Sequence, residues 1–316
     1  MNKIVITGAA GFIGYHLVKK IIKKKYKFIL IDNFSRGKKD KFFNEIIKNK
    51  RIKFLNQNLT RPFEIKDNNI KYIFHLAARI GVKNVIEKPS DTINDNLTML
   101  INTVNAVKKN NKKVKIIFFS TSEIYSPLIS NKTAKFPLKE NVNFIINNKI
   151  QARDSYYISK LVGEKIVELS GFDFINLRPH NVYGPRMGFS HVIPELINKF
   201  KGKEKRVKIH SPTHKRAFCY VDDAINQMVK LAFNKKANNF AFNIGNNEEE
   251  IKIFNLANKI KTLLKSKKKI IRGNNTPGSP IRRVPDMGKT KKFIKNFKFT
   301  NLDQGLENYI NWFLKK

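Results

Sequence analysis

The first half of the chain alternates short apolar runs with longer segments of helical periodicity. The apolar runs predict strands buried on both faces, at KIVIT (3–7), KFILI (27–31), RIKFL (51–55), YIFHL (72–76), KIIFF (115–119) and FINLR (174–178). Helical patterns fall between them, at about 38–49, 90–110 and 153–170. Strands separated by helix-length segments predict right-handed crossovers and a parallel sheet.

After about residue 180 this rhythm loosens and proline and glycine become frequent. Helices are predicted at 191–201, 221–233, 250–265 and 301–314. The change predicts a cofactor-binding domain over 1–178, which includes the helix at 153–170, and a smaller C-terminal α/β region over 179–316 that is interleaved with it and binds mainly the substrate.

Composition narrows the class of protein without deciding it. The net charge is +39, but only 12 of the 63 basic residues are arginines and the lysines are spread over every predicted helix. This is typical of a solvated lysine coat, so we predict no nucleic-acid partner, although an anionic substrate would be attracted. The single cysteine, Cys219, and the absence of a signal sequence or an apolar span predict a cytoplasmic protein with no membrane partner.

A glycine-rich turn, GAAGFIG, follows the first strand and places Gly8, Gly11 and Gly14 before the first helix. Such a turn lets the backbone approach a pyrophosphate at the positive end of a helix. Asp32 ends the second strand, where a carboxylate accepts hydrogen bonds from ribose hydroxyls and repels a 2′-phosphate. The pattern predicts a dinucleotide site that prefers NAD, with NADP as a second possibility because Arg36 lies nearby.

Tyr156 and Lys160 stand one helical turn apart in SYYISKLVGE and therefore share a face of the helix. A tyrosine has an ordinary pKa near 10, and a neighbouring ammonium together with a positive nicotinamide ring is expected to lower it toward that of a general base. Tyr157 is the competing candidate, but its partner four residues on is Leu161.

Taken together, these motifs resemble the extended short-chain dehydrogenase/reductase family of NAD-dependent nucleotide-sugar epimerases and dehydratases. The resemblance covers nearly the whole chain and implies a Rossmann-type, doubly wound parallel sheet. HLAA (75–78) resembles the family's strand-four motif, and Asn58 replaces its usual aspartate. The implied cofactor contacts are Gly8, Gly11, Phe12, Ile13, Gly14, Asp32, Asn33, Asn58, Leu59, Leu76, Ala77, Ala78, Asn96, Tyr156 and Lys160. No metal site is predicted.

The segment STSEIYS (120–126) lies at the carboxyl end of a predicted buried strand, where unpaired polar groups are costly. By resemblance, Thr121 completes a hydride-transfer triad with Tyr156 and Lys160, which implies 4-epimerisation of a nucleoside-diphosphate sugar, with a UDP-sugar favoured, through a 4-keto intermediate. Ser122 and Glu123 are further catalytic candidates. Glu123 also fits a UDP-glucuronate decarboxylase or a 4,6-dehydratase, in which a carboxylate handles protons at C5; a non-catalytic NAD(P)-binding sensor is a remote alternative.

The remaining candidates concern the substrate and the assembly. RPHNVYGPRM, HKRAFCYVDD and RRVPD resemble the family's substrate-binding segments. They imply contacts to the nucleotide-sugar from Asn181, Arg216 and Arg283, and we add Arg79 to this set. The resemblance also implies a homodimer formed through the helices at 90–110 and 153–170.

Overall fold

The computed structural model describes residues 1–108, 113–295 and 297–315. The strands are β1 Lys3–Thr7, β2 Lys27–Ile31, β3 Ile52–Leu55, β4 Ile70–His75, β5 Lys115–Phe119, β6 Asp173–Pro179, β7 Val182–Tyr183, β8 Arg206–Ile209, β9 Lys215–Ala217, β10 Cys219–Tyr220, β11 Phe240–Ile244, β12 Glu250–Lys252, β13 Lys269–Arg272 and β14 Arg282–Arg283. The helices are α1 Phe12–Ile21, α2 Lys41–Ile47, α3 Val82–Glu87, α4 Pro89–Lys108, α5 Ser126–Ser130, α6 Asp154–Glu168, α7 Val192–Lys201, α8 Val221–Ala232, α9 Ile253–Leu263, α10 Gly288–Phe293 and α11 Leu302–Leu314, with 3-10 helices at Ser122–Tyr125 and Lys235–Ala237.

A seven-stranded sheet forms the centre of the first compact unit, in the order β11-β6-β5-β4-β1-β2-β3. Its pairs from β6 to β3 are parallel and in register over the apolar runs. Val5 of β1 lies in a core cluster with Leu100 of α4 and Val167 of α6. Its neighbours Ile4 and Ile6 point to the opposite face and are also buried. Both faces are covered, which confirms the predicted doubly wound α/β fold.

The chain divides into two compact units, and the division is more interleaved than the predicted boundary at residue 178. Unit 1 comprises 1–124, 146–178 and 225–242, and unit 2 comprises 125–145, 179–224 and 243–316. Unit 2 contains the pairs β7–β10 and β8–β13 and the three-stranded sheet β12-β9-β14. Two of its segments, 125–145 and 179–224, are separated in sequence by a stretch that belongs to unit 1, so no single cut in the chain separates the units.

Several element boundaries differ from the sequence predictions for identifiable reasons. The helix predicted at 250–265 begins only at Ile253, because Glu250–Lys252 pairs antiparallel with β9 and buries Ile251. The helix predicted at 38–49 begins after Asp40, whose carboxylate caps it by accepting from the N–H of Phe43. Residues 109 and 110 of the helix predicted at 90–110 lie outside the described residues. The short strands of unit 2 are only two to four residues long, which is too short for a periodic signal.

A buried ion pair fixes helix α6 against β6 within unit 1. The Arg178 guanidinium donates to both carboxylate oxygens of Glu164, at 2.9 and 2.7 Å, and the two side chains are 4% and 1% exposed. Because α6 carries the Tyr156–Lys160 pair, this fork also sets the orientation of the predicted catalytic helix.

We expect Glu164→Gln to lower the midpoint of thermal unfolding sharply, because it leaves a buried guanidinium without a counter-charge. Breaking such a pair costs about 3–5 kcal/mol. Glu45→Gln is the matched control, since the Glu45–Lys48 pair is exposed and is worth at most about 1 kcal/mol. The midpoints are measured by circular dichroism. Equal decreases for the two variants would contradict the expectation that breaking the buried pair destabilises the protein more than breaking the exposed pair.

Candidate active site

The glycine-rich turn between β1 and α1 is too closely packed for side chains. Gly8 has a φ of +67°, and a Cβ placed there would lie 2.8 Å from the Ala77 nitrogen. A Cβ on Gly14 would lie 2.9 Å from Ala9 Cα and closer still to the carbonyl oxygen of Gly8. Gly11 precedes α1 without a side-chain cap. The first backbone N–H groups of α1, which include those of the predicted contacts Phe12 and Ile13, are therefore available to an anion such as a diphosphate.

Asp32 is held directly against this turn. Its carboxylate accepts from the N–H of Ala10 at 2.9 Å and from that of Phe34 at 2.8 Å. Burial raises the pKa of Asp32, and these two hydrogen bonds oppose the shift. Gly37, which the sequence analysis missed, leaves room for the carboxylate, since a Cβ there would lie 2.9 Å from Asp32 Oδ1. The carboxylate and the uncapped helix end fit the ribose and diphosphate of a dinucleotide.

The predicted contacts after β3 and β4 are held by local hydrogen bonds. Asn58 Oδ1 accepts from the Thr60 nitrogen and hydroxyl, at 3.1 and 3.0 Å, and Leu59 is buried in the core cluster of the sheet. Ala77 donates its N–H to the Thr7 hydroxyl at 3.2 Å, and the same hydroxyl lies 3.2 Å from His75 Nδ1. These bonds fix the 75–78 segment beside Gly8. The exposed Asn33 accepts from the Ser35 N–H.

Two polar residues predicted to touch ligands have partners within unit 1. The Asn96 amide bonds the backbone of Arg79, accepting at 2.6 Å and donating at 3.3 Å, and also donates to Ser159 Oγ at 2.9 Å. The Arg79 guanidinium is ion-paired with Asp95 and lies 3.6 Å from Asp91. Both residues tie α4 to its surroundings, and their ligand contacts remain predictions.

The predicted triad comes together where β5 ends. Lys160 is buried on α6 and donates its Nζ to the carbonyl of Phe119, the last residue of β5, at 2.8 Å. Thr121 follows two residues later, and its hydroxyl interacts with the Tyr156 phenol. The Thr121 hydroxyl also accepts from the Glu123 N–H at 3.2 Å, which starts the 3-10 helix containing the buried Ser122. Within the polar segment after β5, Thr121 therefore has partners on α6 and in its own turn, whereas the buried Ser120 hydroxyl has no hydrogen-bond partner among the described residues.

The electrostatics of Tyr156 differ from the sequence prediction. Burial raises the pKa of Tyr156, the Glu123 carboxylate raises it further, and the Thr121 hydrogen bond and the Arg36 guanidinium oppose the rise. Burial also lowers the pKa of Lys160 to about 7. Lys160 is not among the groups that shift the Tyr156 pKa in the protein without cofactor, and its Nζ donates to the Phe119 carbonyl. That Lys160 and a positive nicotinamide ring together lower the Tyr156 pKa stays a prediction for the cofactor-bound protein.

Glu123 is paired with an arginine that the sequence analysis did not single out. Its carboxylate lies 3.6 Å from Arg153 Nη2, just before α6. The sequence did offer a signal for this arginine, because the lysine-rich chain has only 12 arginines. Two of them, Arg36 and Arg153, lie in the surroundings of Tyr156. The pairing keeps a carboxylate fixed near the phenol.

The substrate candidates of unit 2 lie on short strands and their connections. Arg216 of β9 and Arg283 of β14 are register partners on adjacent parallel strands. The Arg216 guanidinium donates to Pro280 O at 2.7 Å and to Ser279 Oγ at 3.0 Å. Asn181 has a φ of +40° and donates its amide to Ala217 O at 2.9 Å. The sheet therefore places the backbones of two arginines side by side.

The fold and the glycine cradle define a dinucleotide-dependent α/β enzyme, and comparison with known proteins identifies its family. Residues 4–245 match the NAD dependent epimerase/dehydratase family. A UDP-N-acetyl-alpha-D-glucosaminuronate decarboxylase from Bacillus cytotoxicus is 30% identical, covering 99% of this chain and 98% of its own. UDP-glucuronic acid decarboxylase 6 from Arabidopsis thaliana is also 30% identical, over 92% and 83% of the two chains.

A solved structure supports the same assignment. The crystal structure of a UDP-glucose 4-epimerase from Thermotoga maritima, with UDP-glucose, superposes with a TM-score of 0.81 at 27% identity and covers 99% of each chain. The chain belongs to the NAD-dependent epimerase/dehydratase family, and its cofactor is NAD. No helix among the described residues is long and apolar enough to cross a membrane.

The low pKa of Lys160 predicts a pH-dependent contribution to stability. Between about pH 7 and the ordinary lysine value near 10.4, the unfolded chain holds a proton that the folded chain has released, so stability rises with pH. We expect the thermal midpoint of the nucleotide-free protein to rise relative to that of Lys160→Met between pH 7 and pH 9.5. A difference that stays constant over this range would contradict the burial of the ammonium.

Proposed function

We propose that the protein oxidises C4 of a nucleoside-diphosphate sugar, with a UDP-sugar favoured, and then returns the hydride to the opposite face of the ring. The net reaction is 4-epimerisation. The observation that carries the proposal is that the Tyr156 phenol interacts with the Thr121 hydroxyl at the end of β5 while Lys160 is anchored to the same strand end. A glycine cradle for the dinucleotide lies in the same unit, after β1.

The chain's own residues manage the proton. Tyr156 accepts the proton of the C4 hydroxyl while the C4–H bond breaks, which leaves a 4-keto sugar. Thr121, whose hydroxyl interacts with the phenol, orients the C4 hydroxyl of the sugar. Bound NAD supplies the hydride acceptor and donor and a positive ring. The tyrosine pKa is raised in the protein alone, so the phenolate forms only when further positive charge is brought to it. Proton transfer to Tyr156 therefore depends on the cofactor being bound.

The arginine pair of unit 2 supports the choice of a diphosphate-bearing substrate. A guanidinium fork matches phosphate oxygens better than a lysine does, and Arg216 and Arg283 lie side by side on paired strands. We propose that they bind the substrate diphosphate together with Asn181. The UDP-sugars named for the Thermotoga maritima, Bacillus cytotoxicus and Arabidopsis thaliana proteins favour uridine as the base.

Decarboxylation of a UDP-uronic acid is a second candidate, favoured by Glu123. A 4-keto group lies β to a C6 carboxylate, so the C5–C6 bond can break with loss of carbon dioxide, after which C5 must gain a proton. Glu123 is fixed by Arg153 and acts electrostatically on Tyr156, where it can relay that proton. The relatives from Bacillus cytotoxicus and Arabidopsis thaliana described above are named as decarboxylases. A 4,6-dehydratase would use the same carboxylate to take the C5 proton while water leaves from C6.

Product analysis separates these reactions. The NAD-loaded protein is incubated separately with UDP-glucose, UDP-N-acetylglucosamine, UDP-glucuronate and GDP-mannose, and the products are separated chromatographically and weighed. We expect an isomer of unchanged mass, absent with Tyr156→Phe. Loss of carbon dioxide or of water would move the assignment to decarboxylase or dehydratase, and no turnover of any sugar would point to a non-catalytic NAD-binding role.

Glu123→Gln tests whether this carboxylate carries chemistry. If the reaction is epimerisation, we expect turnover to stay within about threefold of wild type, because proton transfer to Tyr156 does not need Glu123. If the reaction is decarboxylation, we expect product formation to fall by about 10²–10⁴-fold, which is the usual contribution of a general acid or base. Glu204→Gln, at an exposed position, is the control, since it makes the same change of charge away from the predicted site. A large loss of epimerisation would contradict the proposal that Tyr156 accepts the proton without help from Glu123.

We also propose a homodimer formed by α4 and α6. Ile101 of α4 is 42% exposed and Leu169, directly after α6, is 86% exposed, and the two helices pack against each other within unit 1. Burying such side chains against a second copy would remove apolar surface from water. Cys219 is buried and is the single cysteine of the chain, so no disulfide forms within it; this fits the reducing cytoplasm, which we propose as the compartment.

Ile101→Glu should convert the dimer to a monomer in size-exclusion chromatography with light scattering, because it places a charge in an apolar contact. Ile86→Glu is the matched control, since Ile86 is equally exposed but lies on α3. A wild-type monomer, or a dimer that survives Ile101→Glu and dissociates with Ile86→Glu, would place the interface elsewhere.

A further inference from the structure

Arg36 lies in a segment that packs on the glycine-rich turn. A Cβ on the next residue, Gly37, would lie 2.7 Å from Ala10 Cβ. The N–H of Lys38 donates to Ala10 O at 3.3 Å. The backbone on the C-terminal side of Arg36 is therefore fixed against residue 10, within the turn that receives the dinucleotide.

The Arg36 side chain then extends to the far flank of that turn. Its Nη1 donates to the carbonyl of Ile80, after β4, at 2.6 Å. In the sheet, β1 lies between β2, which precedes Arg36, and β4, which precedes Ile80. The side chain consequently spans the carboxyl end of β1, where the glycine turn begins.

The far end of this span is shaped to admit a guanidinium. Gly81 follows Ile80, and a Cβ there would lie 2.7 Å from Arg36 Nη1, so any other residue would displace the side chain. A guanidinium carries five N–H donors in a planar fork, and the bond to Ile80 uses one. The electrostatic interaction between Arg36 and Tyr156 places the same charge near the reactive tyrosine.

We propose that Arg36 is a cationic strap that closes over the diphosphate of the bound dinucleotide, with Ile80 as its anchor on the far side. The phosphates would then lie between the N-terminus of α1 on one side and the guanidinium on the other. The strap must open before the cofactor can leave. This role differs from recognition of a 2′-phosphate, and it does not depend on which sugar the enzyme converts.

The test is nucleotide binding by calorimetry, with no sugar present. Nucleotide-free wild type, Arg36→Ala, Arg36→Lys and Lys39→Ala are titrated with NAD, NADP, ADP and adenosine. Lys39→Ala removes the same charge from an exposed site three residues away. We expect Arg36→Ala to weaken NAD and ADP by about tenfold to a hundredfold, the usual worth of charge-assisted hydrogen bonds, and adenosine by less than about twofold, because adenosine lacks the diphosphate.

The controls make the result specific. Arg36→Lys should recover part of the affinity, because it keeps the charge and loses the fork, and Lys39→Ala should bind as wild type does. The proposal is overturned if Arg36→Ala affects NADP alone, since that is the signature of a 2′-phosphate site. It is equally overturned if adenosine weakens as much as ADP, if NAD affinity is unchanged, or if Lys39→Ala has the same effect as Arg36→Ala.

Discussion

The buried hydrogen bond from Lys160 joins the two elements that carry the proposed catalytic groups. Lys160 donates to the carbonyl at the end of β5, and this fixes helix α6 to the strand end that carries Thr121. Tyr156, one turn earlier on the same helix, is brought against the Thr121 hydroxyl as a consequence. The Glu164–Arg178 fork and the Asn96–Ser159 bond hold other parts of the helix in place. These three contacts hold helix α6 in place, and they therefore set the position of the Tyr156 phenol.

The charges around the phenol account for the raised pKa of Tyr156 in the protein alone. Burial and Glu123 favour the protonated tyrosine, and Arg36 is the cation that opposes them. Lys160 is itself close to losing its proton, because burial lowers its pKa to about 7. A bound dinucleotide brings both a positive ring for the phenol and phosphates for Arg36. The nicotinamide end and the diphosphate end of the cofactor would therefore both change the charge that acts on the Tyr156 phenol.

The sequence predicted the parallel sheet and the triad because both rest on local patterns. Apolar runs such as KIVIT and a spacing of four residues between Tyr156 and Lys160 are visible without tertiary contacts. The partners of individual side chains were not visible. Arg79 turned out to face Asp91 and Asp95, Asn96 holds Ser159, and Lys160 binds a carbonyl instead of acting on Tyr156. Each depends on which elements approach each other, and that is settled by packing over 12 to 63 residues of sequence separation.

The same limit applies to Arg36, whose target, Ile80, is 44 residues away, and to the short strands of unit 2. Arg216 and Arg283 could be singled out by their motifs, but their side-by-side register follows from a parallel pairing of two-residue and three-residue strands. Such pairings are specified by their surroundings more than by their own residues.

The central claim, that hydride leaves C4 of the sugar under control of Tyr156, is tested most directly by rapid mixing. The NAD-loaded protein is mixed with the UDP-sugar that it converts, with hydrogen or deuterium at C4, while the absorbance of reduced nicotinamide is recorded. We predict a transient rise that is slower for the deuterated sugar and that disappears in Tyr156→Phe. A rise that is insensitive to deuterium at C4, or that persists in Tyr156→Phe, would contradict it.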